Sequence, residues 1–137
     1  MKSNLSQISV EYILIVGFAL VVVVPLLIIF MQYSSSSSSA ASTNQAFQIA
    51  RKIIEESEEV FYIGNPAQTT ITANFPENIQ SISLSDKEVV FKIKTANGVT
   101  EIVQVSKVNI TGTLPTSAGI HVLKIKAEKG YVLVTSN

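Results

Sequence analysis

Glu11 stands one residue before an uncharged apolar run, Ile13 to Met31, with Tyr12 between them. A carboxylate at the edge of hydrocarbon is costly unless it is paired or held at the water interface. By itself the position suits an interfacial acid, favoured at a helix N-terminus by the macrodipole. Other residue types that do chemistry are sparse. His121 is the only histidine, in strand register with Leu123 and Ile125, so it should rim an apolar face. One histidine with no acidic cluster beside it cannot assemble a zinc site of ordinary composition. Asp86 is the lone aspartate, in a turn-like Ser85-Asp86-Lys87 stretch where bonding to its own backbone accounts for it. Serines are many, but none lies in a G-x-S-x-G or S-x-x-K setting. Phosphate-cradling glycine loops are missing, and the chain contains no cysteine for a nucleophile, disulfide or thiolate metal site. These residues point to a non-enzyme without cofactor or metal. Asn109-Ile110-Thr111 matches the N-glycosylation sequon, as does Asn4-Leu5-Ser6.

The element that would position Glu11 is the apolar run. It is about 19 residues long and, as a helix, spans ~28 Å, close to the hydrocarbon thickness of a bilayer. A cleaved secretory signal would have an apolar core of roughly 7–15 residues ending at a small-residue site. Here the run continues through Phe30 and Met31 into serines, so it is expected to be retained, with any cleavage upstream. Pro25 lies within it and is expected to kink the helix. Lys2 and the initiating amine precede the run, and no basic residue follows before Arg51. The positive-inside tendency therefore places the N-terminus in the cytoplasm and the remainder outside.

Gln7, Ser9, Glu11 and Tyr12 followed by a long apolar helix resemble the class III signal peptide of archaeal type IV pilin-like proteins, with its Gln-x-Ser-x-Glu-(Tyr/Phe) pattern. The resemblance implies that residues 1–6 form a leader and that prepilin peptidase cuts between Ser6 and Gln7. It also implies that Glu11 pairs with the freed amine of Gln7 on a neighbouring subunit during assembly. One departure is plain: Leu5 and Ser6 stand where the family has a basic residue and then glycine. The implied partners are further copies of the chain through their N-terminal helices, prepilin peptidase, a pilus assembly platform with its ATPase, and the membrane. The implied activity is that of a structural subunit of a surface filament used in attachment. The rivals are a non-polymerising, membrane-anchored surface-binding protein and an archaellum accessory protein.

Length and composition agree with one small domain beside a membrane helix. The 137 residues are 47% hydrophobic with mean hydropathy +0.38, and the excess lies in the apolar run. Net charge is zero and the pI about 6.6, so no basic surface argues for nucleic acid. Segment 7–33 reads as the transmembrane helix and 34–43 as a serine-rich connector. That connector is either a flexible linker or a weakly helical, small-residue segment permitting close packing. Segment 44–64 reads as an amphipathic helix, with Ala46, Phe47, Ala50, Ile53, Ile54 and Phe61 on one stripe. Ser42, Thr43 or Asn44 would cap its start and Gly64 with Asn65-Pro66 would end it. Glu55, Glu56, Glu58 and Glu59 fill the opposite face, as a solvated surface or as a cation- or subunit-bridging one.

From residue 65 the period becomes two. Ile71, Ala73 and Phe75 alternate with Thr70, Thr72 and Asn74, and Ile82 and Leu84 with serines. Val89, Phe91 and Ile93 face away from Lys92 and Lys94, and Val103 and Val105 continue the scheme. Leu123 and Ile125 stand against Lys124 and Lys126, and Tyr131 and Leu133 follow. Asn97-Gly98 is expected to form a two-residue hairpin turn. The expected fold is thus α+β: a long, partly transmembrane N-terminal helix followed by a small antiparallel β-sheet head, type IV pilin-like. The segment Thr111 to Lys124, T-G-T-L-P-T-S-A-G-I-H-V-L-K, is also similar to the C-terminal part of small archaeal pilin-like proteins. The expected location is the cell membrane, with the head extracellular, or an extracellular filament.

Overall fold

A computed structural model describes the backbone of residues 3–136 and the side chains of residues 9–136. The chain divides into two compact units, one ending at Ser37 and one beginning at Ser38. A single helix, α1 (Ser3–Ile63), runs through the division and is uninterrupted at Pro25 and across the serines. Of the two readings of 34–43, these residues adopt the helical one. Serine is only a few tenths of a kcal/mol poorer than the average helix former, so strongly helical flanks carry it along. Ser42, Thr43 and Asn44 consequently cap nothing; Thr43 instead donates its hydroxyl back to the Ser39 carbonyl one turn earlier, at 2.9 Å. The helix ends as its sequence predicts. Gly64, at φ 90°, donates its N–H to the Val60 carbonyl at 3.1 Å, and its carbonyl accepts the Ala67 N–H at 2.8 Å.

In the second unit, seven strands follow: β1 (Gln68–Phe75), β2 (Ile79–Ser85), β3 (Glu88–Thr95), β4 (Gly98–Val105), β5 (Ile110–Thr113), β6 (Gly119–Glu128) and β7 (Tyr131–Ser136). They form one sheet in the order β1-β6-β7-β5-β2-β3-β4. An α+β layout with a long N-terminal helix followed by an antiparallel sheet is what the period switch predicts, and the sheet is antiparallel for the most part. One pair departs from full antiparallelism: β5 runs parallel to β7, Ile110 beside Val132 through Thr113 beside Thr135. The five residues between β5 and β6, then the tight β6–β7 hairpin, return the chain to β5 in its own direction.

One face of the sheet is buried together with the C-terminal part of the helix. Ala46, Ile49, Ala50, Ile53, Ile54 and Val60 join Ile71, Ala73, Phe75, Leu84, Val89, Phe91, Ile93, Leu123 and Ile125 in the core. Each fully buried aliphatic or aromatic side chain contributes about 1.5–3 kcal/mol relative to exposure. Phe75 and Phe91 meet edge to face at 6.1 Å. Phe47, expected on the helix stripe, is exposed, and Ile49, Ser57 and Val60 take the buried positions. Two strands are one residue out of the expected phase. Ile102 is buried in β4 while Val103 and Val105 are exposed, because Phe91 lies opposite Ile102 and paired residues share a face. Likewise Val132 and Val134, opposite Ala127 and Ile125, are buried in place of Tyr131 and Leu133.

The β3–β4 hairpin turns on Ala96 and Asn97, since Thr95 pairs with Gly98. The expected Asn97-Gly98 turn is thus displaced by one residue. Gly98 becomes the first strand residue, at φ 128°, and its carbonyl accepts the Thr95 hydroxyl at 2.9 Å. Glycine is still needed there, for that backbone angle.

Ser57 is fully buried and its hydroxyl has no hydrogen-bond partner among the described residues. A buried hydroxyl without a partner costs about 1–3 kcal/mol, and alanine is the better helix former. Ser57→Ala is expected to raise the thermal unfolding midpoint of the β-sheet unit. A lowered midpoint would mean that the hydroxyl is bonded after all.

Candidate functional site

The residues around Glu11 come first. Side chains from Val10 to Met31 are exposed along α1, including Tyr12, Phe18, Leu26 and Phe30. No part of the most apolar window is buried within the protein, and the helix is long and apolar enough to cross a membrane. Glu11 is itself exposed on this helix, next to Tyr12. Ser6 and Gln7, expected to be processing and assembly residues, lie in helical backbone, but their side chains are outside the described residues, as are those of residues 1–5 and 8.

Asn109 lies just before β5 and is exposed. Its carbonyl accepts the Val132 N–H at 2.8 Å, so its backbone is held while its side chain faces outward. It borders an open cleft of about 520 Å³ lined by Ser83, Ser85, Asp86, Lys87, Glu88 and Val90. An adjoining cleft reaches Thr111 and Tyr131. Sequence reasoning located Asn109 but not this grouping. The signal for half of it was present in the alternation of Ser81, Ser83 and Ser85. Its juxtaposition with Asn109 depends on β2 meeting β5 at Leu84 and Gly112, a contact no local pattern shows.

Asp86 occupies the β2–β3 turn at φ 54°, a conformation that aspartate tolerates better than most residues, and its carbonyl accepts the Ile110 N–H. His121 sits at the border of the buried face, its ring 4.9 Å from that of Phe75, with Nε2 2.8 Å from the Ser117 carbonyl oxygen. The helix glutamates divide. Glu55 pairs with Arg51 at 2.8 Å on the exposed surface. Glu58 accepts the Lys107 N–H at 3.0 Å and lies 3.7 Å from Lys107 Nζ, tying the helix to the loop before β5. Lys126 Nζ lies 2.6 Å from Glu128 Oε1. That hydrogen bond, and then the charge of Glu128, raise the ammonium's pKa above the usual lysine value. Among the described residues no three His, Asp or Glu side chains gather as a metal site would require.

The geometry therefore separates three features: an uncovered apolar helix headed by Glu11, a polar cleft beside Asn109, and a sheet with two open edges. Compared with protein families, curated proteins and solved structures, the chain matches none.

Proposed function

We propose that this chain is a type IV pilin-like structural subunit. It waits in the membrane as a precursor, is cut by prepilin peptidase before Gln7, and polymerises through its apolar helix into a surface filament used in attachment. The observation that carries the reading is the pairing of a single acid, Glu11, with a long apolar helix that the protein itself leaves uncovered. Insertion is energetically easy. Fifteen residues of Ile13–Met31 are Ile, Leu, Phe or Val, and at roughly 0.3–0.6 kcal/mol each they contribute about 5–9 kcal/mol towards membrane insertion. That outweighs Glu11, which at the edge costs less than the ~3 kcal/mol of a charge at the bilayer centre. In a filament the same side chains would pack on neighbouring helices, and those neighbours would compensate the backbone hydrogen bond that Pro25 removes.

Purified surface filaments analysed by mass spectrometry test the reading. An abundant component whose sequence begins at Gln7 is expected. A chain that stays in the membrane fraction, with no filament containing it, would favour the non-polymerising anchored protein. Processing carries its own prediction, motivated by Leu5 and Ser6. Ser6→Gly should leave cleavage unchanged or speed it, and a mature N-terminus still at Met1 would contradict the class III signal.

A further inference from the structure

We propose that the β-sheet units of successive copies join edge to edge, β4 of one copy against β1 of the next, into a continuous antiparallel sheet. This goes beyond the filament reading and does not rest on how the helices associate. The sheet is open, and its two edges are β1 and β4. Natural edges are blunted by charged side chains, proline, bulges, shortness or a covering element. These two strands carry little of that: one charge, Glu101 on β4, and one covering contact, from Gln45 to the Asn74 carbonyl of β1. β1 is eight residues with no charge and no proline, and β4 is eight residues whose one charge is Glu101. The register shift recorded in the sheet lies in β2, between Ile79 and Ser81, away from both edges.

Strand direction makes the join possible. Across the order β1-β6-β7-β5-β2-β3-β4, every neighbouring pair is antiparallel except β5 and β7. Seven strands in strict alternation would leave both edges pointing the same way. The one parallel pair reverses this, so β1 and β4 run in opposite directions. A second copy shifted sideways in the same orientation, its core face on the same side, therefore meets the first as an antiparallel pair.

The hydrogen-bond phase agrees. Ala127 donates to the Ala67 carbonyl, and Ser106 to that of Lys87. Alternation along an antiparallel ladder then directs the backbone groups of Gln68, Thr70, Thr72 and Asn74 outward from β1. It directs those of Val99, Glu101, Val103 and Val105 outward from β4. Both sets carry their side chains on the face away from the core. Aligning the eight residues of each strand end to end places Thr70 opposite Val103 and Thr72 opposite Glu101. On the core side, Ile71 then lies opposite Ile102 and Phe75 opposite Gly98. Every outward side chain meets an outward one, and the two core faces run on into each other.

Charge selects this partner over a closed β4–β4 dimer. A two-fold pairing of full-length β4 edges sets the two Glu101 side chains opposite or diagonal to each other, a like-charge contact. The Lys92 ammonium 2.7 Å from Glu101 in each copy reduces that repulsion, but pairing with the uncharged β1 avoids it altogether. β1 presents no charge to Glu101, and Lys124 stands on the neighbouring strand, opposite Thr70. The outward carbonyl of Asn74 is taken by Gln45 Nε2 within the same chain, so pairing would be complete at Gln68 to Thr72 and looser at the Phe75 end. Because the join is heterologous it does not close on two copies, and it propagates into rings or a filament.

The cysteine-free full chain, purified in detergent, offers a clean test. A hydrogen-bonded antiparallel pair has Cα atoms about 5.5 Å apart, within disulfide range. Oxidising the double variant Thr70→Cys with Val103→Cys should give a ladder of dimers, trimers and larger species on a non-reducing gel. Separately purified Thr70→Cys and Val103→Cys chains should crosslink only to each other, and only when mixed. A control pair off the edge, Thr70→Cys with Glu88→Cys, should give no ladder. Adding Thr72→Pro to the edge pair removes one outward N–H, a substitution that edge strands tolerate, and should abolish the ladder while the unfolding midpoint is kept. No ladder from the edge pair, an equal ladder from the control, or dimers from either single variant alone would each overturn the proposal. The last would indicate a two-fold dimer instead.

Discussion

Glu11→Gln and Glu11→Ala are expected to leave membrane insertion and cleavage intact while abolishing filaments. On the proposed subunit reading, the carboxylate before assembly would sit at the membrane edge of the apolar helix, solvated by water and headgroups, so either substitution would change insertion little. In a filament that position would be enclosed by neighbouring apolar helices. The freed amine of Gln7 on an adjacent subunit would then be the group that Glu11 neutralises. Removing one member of a buried pair leaves the other charge uncompensated, at about 3–5 kcal/mol. At 1.4 kcal/mol per factor of ten, that weakens each subunit addition by two to three orders of magnitude or more, enough to eliminate polymer. If Glu11 serves only the helix macrodipole, the loss is about 0.3–1 kcal/mol and filament yield barely moves. The measurement is filament yield against cleaved, membrane-bound protein, wild type beside mutant. Unaltered yield would remove the amine-pairing role.

The largest effect on stability is expected at Gly112. It lies in β5 beside β7 at φ 150°, and a Cβ built there would fall 1.9 Å from the Val134 carbonyl oxygen and 2.8 Å from its carbon. Those are backbone atoms of the paired strand, so no side chain can swing aside. Relief requires β5 and β7 to separate, breaking the parallel pair and the Leu84 bridge with it. Gly112→Ala should therefore cost about 4 kcal/mol or more, in the range where one substitution is exceptional. For a unit of this size that lowers the unfolding midpoint by roughly 15–30 °C. Gly98→Ala is the comparison: φ is 128° but nothing lies within 4 Å of the added carbon. It meets only the backbone strain, about 1–3 kcal/mol. Thermal unfolding followed by circular dichroism should separate the two, and equal shifts would mean that β5 and β7 are not so close.

Much of this protein is written in local pattern. The apolar run and the helical spacing after it specify helix, and the change to period two after Pro66 specifies strands. The Asp86, Asn97-Gly98 and Lys129-Gly130 stretches mark turns to within a residue. Phe91 and Ile93 alternate with lysines, so their burial could be read directly. Glu11 stands out in the sequence as a lone acid at the head of an apolar run, costly at the edge of hydrocarbon unless paired or held at the water interface.

Other features needed the assembled chain. Where apolar residues are contiguous, as in Ile102-Val103 and Tyr131-Val132-Leu133-Val134, alternation is invisible, and only pairing with β3 and β6 decides which residue is buried. The serines adopt helix because their flanks do, a cooperative outcome that composition alone left open. The parallel β5–β7 pair follows from where the chain returns after β6, and with it come the constraint on Gly112 and the opposed edges β1 and β4. Local sequence selects helix or strand through backbone sterics and side-chain period. The phase, direction and neighbours of each strand are set by contacts between residues far apart in the chain, and those exist only once the sheet has formed.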